Sequence, residues 1–238
     1  MRDVAADAFY LPIAGTPFKV EAIVFDLDGT LYPRKVVKRA MIRALFPGLL
    51  KLKRYTQSRE CVTGSDFGNA QTMQEAILNR ACGENSRRTR KLRHWVKTRY
   101  YPALLRCIAW ISARDGFPEL MCELHDRGVK LAVVSDYGSV RERLLSLGFN
   151  PELFTLLLGT EEFGMMKPAQ RINTLIFESL RTAPAATVMV GDRAHTDCAL
   201  AQAAGMLFLG IYDEDYPPDT DNVWFSWPEF KALFKEML

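Results

Sequence analysis

The sequence predicts an α/β fold, a doubly wound parallel sheet interrupted after its first strand by an inserted all-helical segment. Three observations carry this. A continuous apolar run, Ala22-Ile23-Val24-Phe25, ends on an acidic residue, as in a strand covered on both faces. From Pro33 to about Trp110 the pattern turns helical and shows no strand. After Asp115-Gly116-Phe117-Pro118, strands and helices alternate, as repeated βα units in a parallel sheet do.

In order, the first strand covers Val20–Phe25 and is stopped by Gly29 and Thr30. In the helical stretch, Val37, Ala40, Met41 and Ala44 fall at helical spacing, and Leu92, Trp95, Val96 and Tyr100 do much the same. Thr63-Gly64-Ser65-Asp66 reads as a loop entering a helix with Met73, Ile77 and Leu78 on its apolar face. A helix from Pro118 to His125 precedes a strand at Lys130–Val134. Ser139–Leu147 is a helix closed by Gly148, a residue suited to a C-terminal cap. Leu156–Leu158 is a short strand, Ala169–Arg181 an amphipathic helix, Thr187–Val190 a strand and Ala194–Ala204 a helix. Leu207–Ile211 is the last strand, and a helix follows Pro228. The expected organisation is a core of residues 1–31 and 116–238 around an insertion of residues 32–115.

Of 238 residues, 48% are apolar and 25% charged, which is ordinary for a folded globular chain. No apolar run approaches the ~20 residues of a membrane span. The first fifteen residues carry Asp3 and Asp7 and lack the long apolar stretch of a secretory signal. Cys61, Cys82, Cys107, Cys122 and Cys198 are scattered, without a CxxC pair, and read as reduced thiols of a cytoplasmic protein. The net charge of +3 hides an asymmetry: the stretch 32–115 holds 19 Lys and Arg against five acids, the remainder 12 against 23. Such opposed halves suggest parts with different partners.

The chemistry gathers at strand ends, where open α/β sheets bind ligands. Asp26-Leu27-Asp28-Gly29-Thr30 places two carboxylates on a turn, one suited to nucleophilic attack and the other to acid–base work. Ser135-Asp136 follows another strand, with a hydroxyl able to donate to a phosphate oxygen. Lys167-Pro168 supplies a compact positive charge just before a helix. Gly191-Asp192-Arg193-Ala194-His195-Thr196-Asp197 follows a fourth strand and offers carboxylates of the kind that bind Mg²⁺. Asp192 is the stronger candidate for a direct ligand; Asp197 is either a ligand or the holder of a neighbouring water. Read singly, the Ser, Lys-Pro and Asp elements also fit helix caps.

Together, Val20–Asp28, Lys130–Asp136, Lys167 and Val188–Asp197, extending to Gly205, resemble the haloacid dehalogenase-like superfamily, with its four motifs in order. The resemblance implies a Rossmann-like core. It implies that Asp26 is an aspartyl nucleophile. It makes Asp28 the general acid and base, with its main-chain carbonyl on Mg²⁺, and Thr30 the group that orients Asp28. It assigns Ser135 and Lys167 to the phosphoryl group, and Asp26, Asp28, Asp192 and Asp197 to the metal region. The second aspartate points to the phosphatase and phosphomutase branch, and the helical insertion resembles that family's C1 cap. Asp136 stands where relatives often have Asn, leaving its role open.

The leading expectation is therefore a Mg²⁺-dependent phosphatase acting on a small phosphorylated metabolite: a sugar phosphate, a phosphoglycolate-like acid or a nucleotide. Two alternatives stay open: a phosphomutase, or a non-catalytic protein whose basic insertion binds nucleic acid or an anionic membrane. His94, His125 and His195 are expected to be structural or solvated. Arg87, Arg88, Arg90, Lys91 and Arg93, followed by Lys97 and Arg99, form either a solvated helix face or a surface that steers anions to the active site. The oligomeric state is not legible.

Overall fold

The computed structural model describes residues 9–13, 16–83, 85–213 and 222–235. The expectation of no secretory signal falls largely on residues 1–8, outside that range. The described residues open on a hairpin absent from the sequence expectations, β1 (Phe9–Ile13) antiparallel to β2 (Thr16–Val20). Buried Phe9 and Leu11 flank exposed Tyr10, the alternation of a half-covered strand. Val20, expected in the first sheet strand, closes this hairpin opposite Phe9; the sheet strand itself is β3 (Ala22–Phe25), buried throughout.

The helical insertion contains α1 (Arg34–Ala44), α2 (Leu49–Glu60), α3 (Ala70–Cys82), α4 (Ser86–Trp95) and α5 (Tyr101–Ala109). A π-helical stretch, Val96–Tyr100, joins α4 to α5. The expected apolar positions Met73, Ile77, Leu78, Leu92, Trp95, Val96 and Tyr100 are buried, as are Val37 and Met41, whereas Ala44 is exposed. Asn69 caps α3 by accepting from the Thr72 amide at 2.9 Å. Where the chain returns to the sheet, the Arg114 amide donates to Leu31 O at 2.9 Å. Its buried guanidinium donates to the Gly29 and Thr30 carbonyls, each at 2.8 Å. The base of the insertion is thus tied to the acidic turn.

Next come α6 (Phe117–Asp126), β4 (Lys130–Ser135), α7 (Val140–Ser146), β5 (Phe154–Gly159) and α8 (Gln170–Leu180). They are followed by β6 (Thr187–Gly191), α9 (Ala199–Ala204), β7 (Leu207–Tyr212), β8 (Val223–Ser226) and α10 (Trp227–Lys235). The helix expected from Ala194 begins as a π turn over Ala194–Cys198 before α9. The short edge strand β8 has no counterpart in the sequence expectations.

The six-stranded sheet has the order β5-β4-β3-β6-β7-β8, with every pair parallel. Strand order therefore reverses at β3, between β4 and β6, and the carboxyl ends there form the crevice that such sheets use for ligands. Side chains alternate across the sheet. Ile23, Phe25, Leu131, Val133, Val188 and Val190 belong to the larger core with α6 and α10. Ala22, Val24, Ala132, Val134 and Met189 pack with α8 and α9 on the other face. This double coverage explains the unbroken apolar runs. Among the described residues no helix is long and apolar enough to cross a membrane.

Candidate active site

Asp26 emerges from β3 almost fully buried, its amide tied to Val190 O at 2.9 Å. Gly29 turns the chain with φ +103°, and a Cβ there would come within 1.9 Å of Asp192 Oδ2. The turn carries Thr30 back over Asp26, so the expectation that Thr30 orients Asp28 is corrected: its hydroxyl donates to Asp26 Oδ2 at 2.9 Å. Asp26 Oδ1 accepts from Lys167 Nζ at 2.6 Å. The buried ammonium also donates to Asp197 Oδ1 at 2.6 Å and to Val134 O at 3.2 Å, which uses its three protons.

Burial pushes the Asp26 carboxyl up to about 6, against the pull of Lys167, with Asp197 and Asp28 adding to the rise. Burial alone would lower Lys167; Asp197, Asp26 and Asp136 hold it well above its ordinary value. Asp136, the unexpected carboxylate, accepts from the Lys167 amide at 2.8 Å and from Thr160 Oγ1 at 3.1 Å. It anchors the lysine's backbone.

Asp28 lies beside this group. Ser135 Oγ donates to Asp28 Oδ2 at 2.8 Å, while Tyr32 OH and the Arg143 guanidinium both donate to Oδ1. Arg143 Nη1 also donates to Ser135 Oγ at 3.0 Å. Burial would raise the Asp28 carboxyl, but Arg143, Tyr32 and Ser135 overcome it and hold the group down at about 2. In this arrangement Asp28 is a carboxylate without a proton to give.

Arg34, the first residue of α1, reaches the remaining carboxylate. Its Nε donates to Asp192 Oδ2 at 2.8 Å and its Nη2 to Asp192 Oδ1 at 2.6 Å. Nη2 also donates to the Asp28 main-chain carbonyl at 2.6 Å. Asp197, whose Oδ1 holds Lys167, accepts from the Asp192 and Arg193 amides on Oδ2 at 3.2 and 3.1 Å. Both its oxygens are engaged in positioning neighbours.

Oxygens of Asp26, Asp192 and Asp197 lie within 4.8 Å of one another. In and around this group, the carboxylates of Asp26, Asp28, Asp136, Asp192 and Asp197 face three cations, Arg34, Lys167 and Arg143. Arg59 is matched separately by Glu161, at 2.6 Å. Five carboxylates against three cations leave an excess of two negative charges. Hard carboxylate and carbonyl oxygens with that excess suit Mg²⁺.

Tyr32, Arg34, Arg59 and Arg143 are not among the residues expected from the sequence. Arg143 has a legible signal, since it shares the buried stripe of α7 with Val140 and Leu144. Arg34 has none, lying in a stretch already crowded with basic residues. His94, His125 and His195 are exposed, as expected.

A cleft of about 670 Å³ opens over Asp26 and Lys167, between the insertion and the sheet. The insertion's cations that line it are Arg34, Lys38, Lys53 and Arg59. Arg90, Arg93 and Lys97, part of the run read as either a solvated helix face or an anion-steering surface, do not line it and are exposed.

A family model described as haloacid dehalogenase-like hydrolase matches residues 20–205. The chain belongs to the haloacid dehalogenase-like hydrolase family. A glyceraldehyde 3-phosphate phosphatase of Methanopyrus kandleri is 29% identical over 228 residues, covering 89% of this chain and 92% of that protein. The structure of CbbY from Rhodobacter sphaeroides in complex with phosphate has a TM-score of 0.64 at 19% identity, covering 91% of this chain and 99% of that one. β-Phosphoglucomutase from Clostridium difficile has a TM-score of 0.63 at 16% identity, covering 91% and 98%. These two likenesses are of fold. As a haloacid dehalogenase-like hydrolase with relatives named as phosphatases, the chain is an enzyme, a phosphatase.

The grip on Asp28 has a measurable consequence in this haloacid dehalogenase-like hydrolase. Replacing Arg143 by Met keeps bulk and leaves burial to dominate, so the Asp28 carboxyl should titrate above its ordinary 3.8 instead of at about 2. A depressed carboxyl contributes stability above the ordinary range and loses it as the pH falls toward the folded value. Carboxyl carbon NMR from pH 3 to 7 should show Asp28 ionised throughout in the wild type and titrating within that window in Arg143→Met. The same low value in both proteins would contradict the assignment.

Proposed function

We propose that the protein is a magnesium-dependent phosphomonoesterase acting on a small phosphorylated metabolite through an aspartyl-phosphate on Asp26. The observation that supports this best is the buried Asp26 carboxylate, held by Lys167 and Thr30 beside a second aspartate and a third at the next strand end. Residues 32–115 serve in this reading as the cap. The relatives' names make glyceraldehyde 3-phosphate the first compound to test and favour hydrolysis over the mutase alternative.

In this mechanism an Asp26 oxygen attacks phosphorus and the bond to the ester oxygen breaks. Asp28, released from Arg143 and Ser135, gives the departing alkoxide a proton that an ester entering as its monoanion supplies. Asp28 then takes a proton from the water that attacks phosphorus, freeing Asp26 and inorganic phosphate. Lys167 holds a fixed positive charge beside the transferred group, where such charge is most effective. Asp26, the Asp28 carbonyl and Asp192 would hold Mg²⁺. Bound there, the ion would neutralise charge on the phosphate oxygens. Asp197 keeps Lys167 and the Asp192 amide in place.

Phosphate release from glyceraldehyde 3-phosphate and a panel of sugar phosphates should require Mg²⁺ and stop with EDTA. Asp26→Asn should lower it by orders of magnitude with folding intact. Full activity after metal removal, or wild-type turnover by the variant, would refute the reading. Arg34 engages the same Asp192 and Asp28 oxygens, so it competes with the ion. Charge-assisted hydrogen bonds contribute about 1.5–3 kcal/mol each, and calorimetric titration should show Arg34→Met binding Mg²⁺ at least about tenfold more tightly. Weaker binding by Arg34→Met would instead make Arg34 a support of the metal site.

A further inference from the structure

The cleft's walls do not match a bare sugar phosphate. Val37, Met41 and Ile42 of α1, Leu50 of α2, Leu104 of α5 and Met166 line it above Asp26. Its volume of about 670 Å³ lies in the range of pockets that enclose drug-sized ligands, roughly 300–1,000 Å³. Three polar or charged groups along these walls already have partners. Thr56 Oγ1 donates to Leu52 O at 3.0 Å, and Glu60 pairs with Arg193 at 3.6 Å. Arg59 is held by Glu161 and by Asp136 O, at 2.6 and 2.7 Å. Lys38 and Lys53 are exposed, and long lysine stems extend apolar walls while their ammonium groups stay in water.

A triose phosphate in this space would satisfy the catalytic end and leave apolar walls in contact with water. Its hydroxyls would find Lys38, Lys53 and Thr63 among the cleft's polar groups, set against the apolar walls of α1, α2 and α5. Because Asp26 and Lys167 line the same cleft, the alcohol part of an ester bound at Asp26 extends along these walls. Ile42 and Leu50 are 41% and 74% exposed on this path, apolar surface that such a body would cover.

We propose that the preferred substrate is a phosphomonoester of an alcohol with an apolar body, which packs against α1, α2 and α5 while its phosphate lies at Asp26, beside the Lys167 charge. This rests on the phosphatase reading and narrows its substrate class. Burying a methylene contributes about 0.8 kcal/mol, which is roughly a fourfold gain in affinity for each one covered.

The test is a series of n-alkyl phosphates from ethyl to octyl, whose leaving groups have nearly equal acidity, assayed with Mg²⁺ beside glyceraldehyde 3-phosphate. The matching n-alkylphosphonates, which are not hydrolysed, are titrated by calorimetry. Both kcat/KM and phosphonate affinity should climb about twofold to fourfold per methylene until the cleft is filled. The ratio of octyl to ethyl should fall at least about tenfold in Ile42→Ser combined with Leu50→Ser, both exposed positions, with ethyl phosphate turnover as the check that the double variant is folded. Chain-length-independent affinity, or glyceraldehyde 3-phosphate exceeding hexyl phosphate in kcat/KM, overturns the inference and leaves the phosphatase reading standing. No turnover of any ester overturns both.

Discussion

The buried ammonium of Lys167 between Asp26 and Asp197 is the contact on which the rest of the site depends. Taking these charges out of water costs several kcal/mol per ion, and only close, fully hydrogen-bonded partners repay it. Breaking one contact would strand the others in a low-dielectric interior. The surrounding structure is arranged to prevent that. Three adjacent strands, β3, β4 and β6, bring Asp26, Val134 O and the loop of Asp192 to one crevice. Asp136 and Asp197 then hold the lysine from its amide and from its side chain.

Around that triad, positive charge is distributed with two different reaches. Arg143 comes from α7, within the sheet's own layers, and restrains Asp28. Arg34 comes from the insertion and spans from Asp192 to the Asp28 carbonyl. The insertion is joined to the acidic centre through Tyr32 and Arg34 at its start, through Arg59 of α2, and through Arg114 at its return. A movement of α1 would change the electrostatic surroundings of Asp192 and of the Asp28 carbonyl together. Only part of the insertion's basic character reaches the site: Arg34, Lys38, Lys53 and Arg59 line the cleft, whereas Arg90 and Arg93 of α4 are exposed and do not.

The frame is legible in the sequence because it depends on local rules. Unbroken apolar runs with an acidic residue close behind announce β3 and β6, and the glycine-closed helices announce the βα units. The hairpin β1–β2 and the edge strand β8 are not legible, because each is short and takes its stability from what packs on it. The same distinction divides the site. Asp26, Asp28 and Asp192 can be read from strand-end position. Ser135 and Lys167, each ambiguous alone, gain meaning only from their order. Tyr32, Arg34 and Arg143 act through contacts between residues distant in sequence or across a turn, which spacing does not report. Thr30 falls to Asp26 and not to Asp28 because the sense of the turn at Gly29 decides which carboxylate it meets.

In the proposed mechanism, Asp26 is the group that attacks phosphorus. Rapid quenching during turnover of a hydrolysed ester, followed by borohydride reduction and peptide mass spectrometry, tests this directly. An acyl-phosphate at Asp26 is reduced to homoserine, so the account predicts that mass change on the peptide holding Asp26 and its absence without substrate. Steady turnover with no modification at Asp26, or modification at Asp28 or Asp192 instead, would contradict it.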